Sequence, residues 1–314
     1  LKSGPSPRNL CWSLPDNCNP PTMMISTIIP TFNRRDLLKA TVDSIRMGDQ
    51  RGLEIIVVDD GSSDGTIEYL EGQKDLHWFA QKNAGPAAAR NLGAGKATGE
   101  YLAFLDSDDL WFPWSLATYQ TVIEQSSAAF IAGKPKRFAD PRELSGLEAA
   151  RPEWQGFRDY LASGDQWRWW GCSSFVIRRD AFEEAGGFTG RRINAEDADL
   201  AMRLGTAGSF VQITGPSTFA YREHAVSEMK NSTLNVKGAV HLLETQLRGG
   251  YPGGEERRGE QWRIIARHLR PVALSSLQQG QRPLAWRIYR ATFPYHLRSG
   301  RWKFLLGFPL KALS

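Results

Sequence analysis

Cysteine is scarce. The 314 residues hold three, Cys11, Cys18 and Cys172, an odd number with no Cys-x-x-Cys pair, so neither a disulfide framework nor a zinc knuckle underlies the fold. They read as reduced thiols of a cytosolic protein. Long apolar runs are missing too: no stretch of about 18 apolar residues occurs, which excludes a membrane-crossing helix on sequence grounds. Residues 1–22, rich in Pro, Asn and Ser, lack the apolar centre of a secretion signal and are expected to be a tail, native or appended. No internal repeat is evident. The last segment has no acid at all: from Gln261 to Ser314 there are eight Arg, two Lys and no Asp or Glu. That segment alone carries +10, which leaves −5 for the rest of a chain whose net charge is +5.

What is present is ordinary for a globular protein, with 41% apolar and 23% charged residues. The length suits one large α/β domain with an appendage or two smaller domains. The most informative stretch is Tyr101-Leu102-Ala103-Phe104-Leu105-Asp106-Ser107-Asp108-Asp109. A buried strand runs straight into three carboxylates, and a core has no use for so much unpaired negative charge. A positive partner is implied, either a divalent metal or a metal carrying nucleotide phosphates.

The preceding residues alternate strand and helix. Met24 to Pro30 is β-rich, with Thr31-Phe32-Asn33 as a loop, Asn33 as the expected N-cap, and Leu37, Leu38, Thr41, Val42 and Ile45 at helical spacing. Leu53 to Val58 is a second strand, ending in Asp59-Asp60-Gly61-Ser62-Ser63-Asp64-Gly65. A third strand lies near Leu76 to Ala80, and Gly85-Pro86 opens a helix to Ala97, since Pro suits the first helical position. This order predicts a mostly parallel sheet with helices on both faces, whose ligands bind outside the carboxyl ends of the strands. Asp59-Asp60 and Asp106-Ser107-Asp108 both stand there. From Lys134 to Arg168 the pattern fades and a loop-rich insertion is expected. A strand Ser173 to Ile177, a helix from Asp180, a helix opened by Glu196-Asp197, and strands near Phe210 to Ile213 and Thr218 to Tyr221 follow. Helices near 234–248, 256–277, 283–292 and 302–312 complete the chain.

Singly these features have plain structural alternatives. Asp64 suits a cap better than a ligand role, Arg90 a solvated face, Glu196-Asp197 a helix N-terminus, and His224 a half-buried strand. Asp109 is expected to cap the turn into Leu110-Trp111-Phe112-Pro113.

In sequence order the motifs say more. Ile28-Ile29-Pro30-Thr31-Phe32-Asn33-Arg34, Val57-Val58-Asp59-Asp60-Gly61-Ser62-Ser63-Asp64-Gly65-Thr66, Asn83-Ala84-Gly85-Pro86-Ala87-Ala88-Ala89-Arg90-Asn91 and Phe104-Leu105-Asp106-Ser107-Asp108-Asp109 are followed by Gly186-Gly187-Phe188, Glu196-Asp197-Ala198-Asp199-Leu200-Ala201-Met202-Arg203 and Tyr221-Arg222-Glu223-His224. The series resembles the family 2 glycosyltransferases, inverting enzymes of bacterial type with the GT-A fold, over roughly Met24 to Ser227. The resemblance implies a Rossmann-like, mostly parallel α/β sheet flanked by helices, in a catalytic domain over 23–229 with a helical, basic extension over 230–314. It further implies that Pro30, Thr31, Asn33 and Asp59 or Asp60 hold the nucleobase and ribose of a nucleotide-sugar donor, most simply a UDP-sugar, and that Arg90 reaches the base or diphosphate. Asp106, Ser107 and Asp108 would form the Asp-X-Asp element that meets the ribose and a Mn²⁺ or Mg²⁺, with His224 a further metal ligand. Asp197 would be the base that deprotonates the acceptor, with Glu196 beside it. Trp169 and Trp170 are candidates to stack on an acceptor sugar, with subdomain packing as the rival role. The acceptor would be a glycan or lipid-linked glycan.

Two other functions compete. A nucleotidyltransferase would also bring metal carboxylates to strand ends, but it should carry a Gly-rich phosphate loop near the first strand, and Pro30-Thr31-Phe32-Asn33 is not one. A catalytically inactive glycan- or nucleotide-binding module has no need of the full Asp106, Asp108, Asp197 and His224 set. The basic residues after Gln261 interleave with Trp262, Trp286, Tyr289, Tyr295, Trp302 and Phe304. This suits peripheral association of 261–314 with an anionic membrane on its cytoplasmic face, or equally a helical cap packed on the catalytic domain. No nucleic-acid module pattern accompanies it. Sequence is silent on the oligomeric state.

Overall fold

The computed structural model describes residues 23–164, 166, 171–223 and 231–313. The first hundred of them build strand and helix in alternation: β1 (Ile25–Thr31), α1 (Arg35–Arg46), β2 (Leu53–Asp59), α2 (Thr66–Glu71), β3 (His77–Ala80), α3 (Pro86–Ala94) and β4 (Tyr101–Phe104). β1 pairs in parallel with both β2 and β4, and β2 with β3. Residues of opposite parity on these strands point to opposite faces. Ile25, Ile29 and Val57 pack with Leu38, Val42 and Ile45 of α1, while Ile28, Ile56 and Val58 join Ala89 of α3 in the other layer. Burial on both faces is why these strands read as continuous apolar runs.

Next come β5 (Leu110–Trp111), α4 (Ser115–Ser126), β6 (Phe130–Ala132), β7 (Pro135–Phe138), β8 (Glu153–Phe157), α5 (Tyr160–Ser163), β9 (Phe175–Arg178), α6 (Arg179–Glu184), α7 (Glu196–Arg203), β10 (Phe210–Gly215) and β11 (Phe219–Arg222). The main sheet has eight strands in the order β3-β2-β1-β4-β9-β6-β10-β8, and β5-β11-β7 form a small second sheet. β9 runs antiparallel to both β4 and β6. Its first residue therefore lies at the carboxyl end of β4, where the acidic turn is.

Three expectations need correction. The stretch after Lys134 is not simply loop: its described part holds β7, a capped 3-10 turn at Pro141–Leu144, β8 and α5. β8 is a sheet edge with every residue at least partly exposed, so it shows no apolar alternation to detect. Asn33 does not cap α1. Arg34 occupies that position, and the Arg35 amide donates instead to the Asp64 carboxylate, 2.9 Å away across the next loop. Finally, the helix expected to end near Thr292 continues through Pro294 to Arg298.

The last four helices are α8 (Ser232–Leu247), α9 (Arg258–Gln278), α10 (Arg282–Arg298) and α11 (Trp302–Leu313). Their apolar residues, among them Leu242, Trp262, Ile265, Ile288 and Phe308, belong to the same cluster as Phe175 and Ile177 of β9, Leu200 of α7 and Phe210 of β10. Polar ties reinforce the joint. The buried Asp199 carboxylate of α7 accepts from Tyr251 Oη at 3.0 Å and pairs with His241 Nε2 at 2.9 Å and with Arg203, and Arg257 makes a two-pronged contact with Asp159 at 2.8 and 2.9 Å. Among the described residues no helix is long and apolar enough to cross a membrane.

Candidate active site

Two loops at the carboxyl ends of β1 and β2 are laced together. Asn33, at φ +50°, donates its amide to Ser62 Oγ and accepts the Ser63 amide on Oδ1, each at 2.8 Å. Asp60 is wholly engaged in holding the next loop, accepting the Ala84 and Gly85 amides at 2.8 Å and Gln81 Nε2 at 2.7 Å. Gly85 has φ +93°, a conformation that favours glycine, and Pro86 then starts α3. Asp59 differs. Its Oδ2 accepts the Gly61 and Ser62 amides, but Oδ1 is buried with no partner, as is Thr31 Oγ1. A buried acceptor without a donor is costly, so Asp59 and Thr31 are the two polar groups here with capacity for a ligand. Pro30 lies within β1, opposite Val58.

The turn after β4 gathers Asp106, Asp108 and Asp109, each with a carboxylate oxygen within 4.8 Å of the others. Ser107 is buried between them. The Asp106 amide donates to Ser173 Oγ at 3.0 Å, just ahead of β9. Asp109 is not the turn cap that was expected. Its Oδ1 accepts the Arg222 amide at 2.9 Å at the end of β11, and its Oδ2 is buried without a partner. Burial, and then the charges of Asp106 and Asp108, push its carboxyl well above the usual range. Three crowded carboxylates, one of them costly to ionise, form a set of hard oxygen donors of the kind that fits Mg²⁺ or Mn²⁺.

Two arginines bring positive charge to the turn. Arg34 Nη1 lies 2.7 Å from Asp108 Oδ2. Arg90, with its side chain 5% exposed, joins Asp106 Oδ1 at 2.6 Å to Glu196 Oε1 at 3.2 Å and stands over the Phe188 ring. In this state the Arg90 guanidinium is thus committed to two carboxylates, linking the acidic turn to α7.

α7 opens with Glu196 and Asp197. Burial pushes the Glu196 carboxyl up to about 7, with Arg90 opposing and Asp197 adding to the shift. Asp197 Oδ1 accepts the Ala198 amide at 2.7 Å, as suits an acidic residue in a first turn. Both are aimed by the residues before them. Ala195 has φ +80°, and Asn194 is gripped by α8: its amide donates to Leu234 O at 3.2 Å and its Nδ2 to Asn235 Oδ1 at 2.7 Å. At Gly238 a Cβ would stand 1.6 Å from Asn194 O. A cleft bounded by the start of α3 and by residues 189–194 ends on Glu196.

The geometry therefore brings Thr31, Asp59, Asp106, Ser107, Asp108, Arg90, Glu196 and Asp197 to one edge of the sheet, and gives Asn33 and Asp60 to the loops that shape it. His224, Trp169 and Trp170 lie outside the described residues. Sequence reasoning overlooked Arg34, Ser173, Arg222 and the grip of α8 on Asn194. Arg34 carried a signal, being an arginine beside a strand end that faces an acidic turn; the grip of α8 is a long-range contact with no local signature.

A profile of the glycosyl transferase family 2 matches residues 26–186. An uncharacterized glycosyltransferase of Rickettsia felis is 38% identical over 109 residues, which are 34% of this chain and 18% of that protein, so this chain matches less than a fifth of that relative's length. The Escherichia coli protein named UDP-Glc:alpha-D-GlcNAc-diphosphoundecaprenol beta-1,3-glucosyltransferase WfaP is 36% identical over 227 residues, 71% of this chain and 86% of its own length. Among solved structures, the mannosyltransferase PcManGT of Pyrobaculum calidifontis, in complex with GDP-Man and Mn²⁺, is similar with a TM-score of 0.52 and 21% identity over 96% of this chain and 91% of that one. At that identity the likeness speaks for the fold, the GT-A arrangement with its flanking helices. With the profile spanning half of the chain, and a relative matched over most of its length, the chain belongs to glycosyl transferase family 2.

Proposed function

We propose that this protein is a metal-dependent, inverting glycosyltransferase that moves a sugar from a UDP-sugar onto a glycan carried on a lipid diphosphate. The observation that carries this reading is the convergence at one sheet edge of the acidic turn, the unpartnered Asp59 Oδ1 and the Glu196-Asp197 helix start. Asp59 and Thr31 have the spare polar capacity to take the N–H and hydroxyl groups of a nucleoside. Asp106, Asp108 and Asp109 would hold a divalent ion, whose chemistry is to neutralise the diphosphate as a leaving group.

Asp197 accepts the proton of the acceptor hydroxyl as that oxygen attacks the anomeric carbon opposite the diphosphate, and a single displacement inverts the configuration. Glu196 and Arg90 position the base against the acidic turn. The E. coli relative is named for UDP-Glc and a diphosphoundecaprenol-linked acceptor, which makes UDP-glucose the first donor to test.

Calorimetry of UDP binding with and without Mn²⁺ tests the reading. Binding that requires the metal in the wild type and disappears in Asp108→Ala supports it. UDP affinity indifferent to both would sink the metal role.

A further inference from the structure

We infer that the outward face of α11 is a membrane-docking surface that seats this protein on anionic lipid. α11 has two apolar faces. Phe304, Leu305, Phe308 and Ala312 are buried in the helical core, and Phe304 and Phe308 pack on Tyr289 of α10. At about 100° per residue, a second stripe lies about 140° around the helix from them. It consists of Trp302, Leu306, Leu310 and Leu313, which are 56%, 66%, 71% and 83% exposed. Four large apolar residues in one row are not scattered surface hydrophobics; a contiguous exposed patch marks an interaction site.

The occupant follows from charge. The stripe belongs to the 54-residue stretch from Gln261 to Ser314 that has ten basic residues and no acid. Arg298, Arg301, Lys303 and Lys311 lie along or beside the helix that carries it. Two copies pressed together through this face would bring like charges into contact, which disfavours a self-interface. Three of the four residues are leucines, which offer a nucleic-acid base no stacking platform, and a lone Trp302 makes no row of rings on which successive bases could stack. An anionic bilayer satisfies both features at once, with leucines and the tryptophan at the acyl boundary and cations at the headgroups. Twelve residues make a helix of roughly 18 Å, well short of the roughly 30 Å hydrocarbon core, so α11 lies in the plane of the interface rather than across it. The inference goes beyond the reaction and does not depend on which sugar is moved.

Flotation of the full chain with vesicles of phosphatidylcholine alone or mixed with phosphatidylglycerol is the test, on the wild type and on Leu306→Asp/Leu310→Asp, with Leu306→Ser/Leu310→Ser as a milder pair should the first melt early. The wild type is expected to float with the mixed vesicles only and to be released by salt, with partitioning reduced at least about tenfold in the variants. UDP binding and melting temperature should be unchanged in them, which separates this inference from the donor chemistry. Equal flotation of wild type and variants would overturn it. So would a wild type that ignores both vesicles, or one that sediments as a dimer which the variants dissolve.

Discussion

The guanidinium of Arg34 stands 2.7 Å from the carboxylate of Asp108, in the acidic turn that follows β4. The pair is part-exposed, at 32% for Arg34 and 12% for Asp108, so it holds the turn by no more than about 1 kcal/mol. A divalent ion held at the proposed site would compete with it. Arg34→Ala is therefore expected to bind Mn²⁺ alone somewhat more tightly, by no more than about fivefold, in a titration that follows the free-ion paramagnetic signal. Weaker Mn²⁺ binding in that variant would show that Arg34 organises the ligands rather than opposing the ion.

Asp197→Asn keeps the shape of the side chain and removes its ability to take a proton. Donor affinity should stay near that of the wild type while turnover falls by about two to four orders of magnitude. Turnover close to wild type would move the base elsewhere, with Glu196 next in line.

Glu196 carries a pH signature. Its folded-state pKa is raised to about 7 from an ordinary 4.5, chiefly by burial. A raised pKa means that the folded chain binds the proton more tightly than the unfolded chain, so the contribution to stability is fully present below about 4.5 and is lost as pH rises to about 7. Glu196→Gln cannot ionise. Relative to that variant, the wild type should lose melting temperature between pH 4.5 and 7 and run parallel above it, as measured by melts across a pH series.

At Gly238 any side chain meets the Asn194 carbonyl, with an added Cβ 1.6 Å from it. Gly238→Ala must push α8 off the loop that aims Glu196 and Asp197. A loss of about 1–3 kcal/mol or more in urea unfolding is expected, together with lower turnover and nearly unchanged UDP affinity, because Asp59 and the acidic turn are untouched.

Asp199 is 2% exposed and is held by Arg203, His241 and Tyr251. Asp199→Ala takes a shared acceptor from Tyr251 and His241 and an ion-pair partner from the part-exposed Arg203, and about 1–3 kcal/mol of stability should go with it, read from denaturant midpoints. A smaller loss would show that the helical region is held to α7 by its apolar contacts alone.

The acidic strand ends of this site were readable because their signal is local. Asp59, Asp106 and Asp108 stand at the ends of apolar runs that read as buried strands, so both the strand and its acidic end were on view. What could not be read depends on contacts between distant residues. Whether Asp60 or Asp59 retains a vacant oxygen is decided by the amides of Ala84 and Gly85, some 25 positions away. Asp109 was misjudged for the same reason, since its partner is the Arg222 amide 113 residues on. β8 lay hidden because an exposed edge strand has no alternation. The C-terminal helices were visible as helices, but only packing shows that their aromatics complete the catalytic core.

The antiparallel pairing of β9 with β4, through Tyr101 to Arg178, Leu102 to Ile177 and Ala103 to Val176, is the seam between two parts of the candidate site. On one side lie the strands and loops with Thr31, Asp59 and the acidic turn; on the other lie α7, the strands that follow and the helices locked to them. Under the proposed function, the nucleotide would be held on the first side and the acceptor deprotonated on the second. A chimera of two relatives would have to break the chain between β4 and β9 and carry α8 along with the Glu196-Asp197 helix start that it holds.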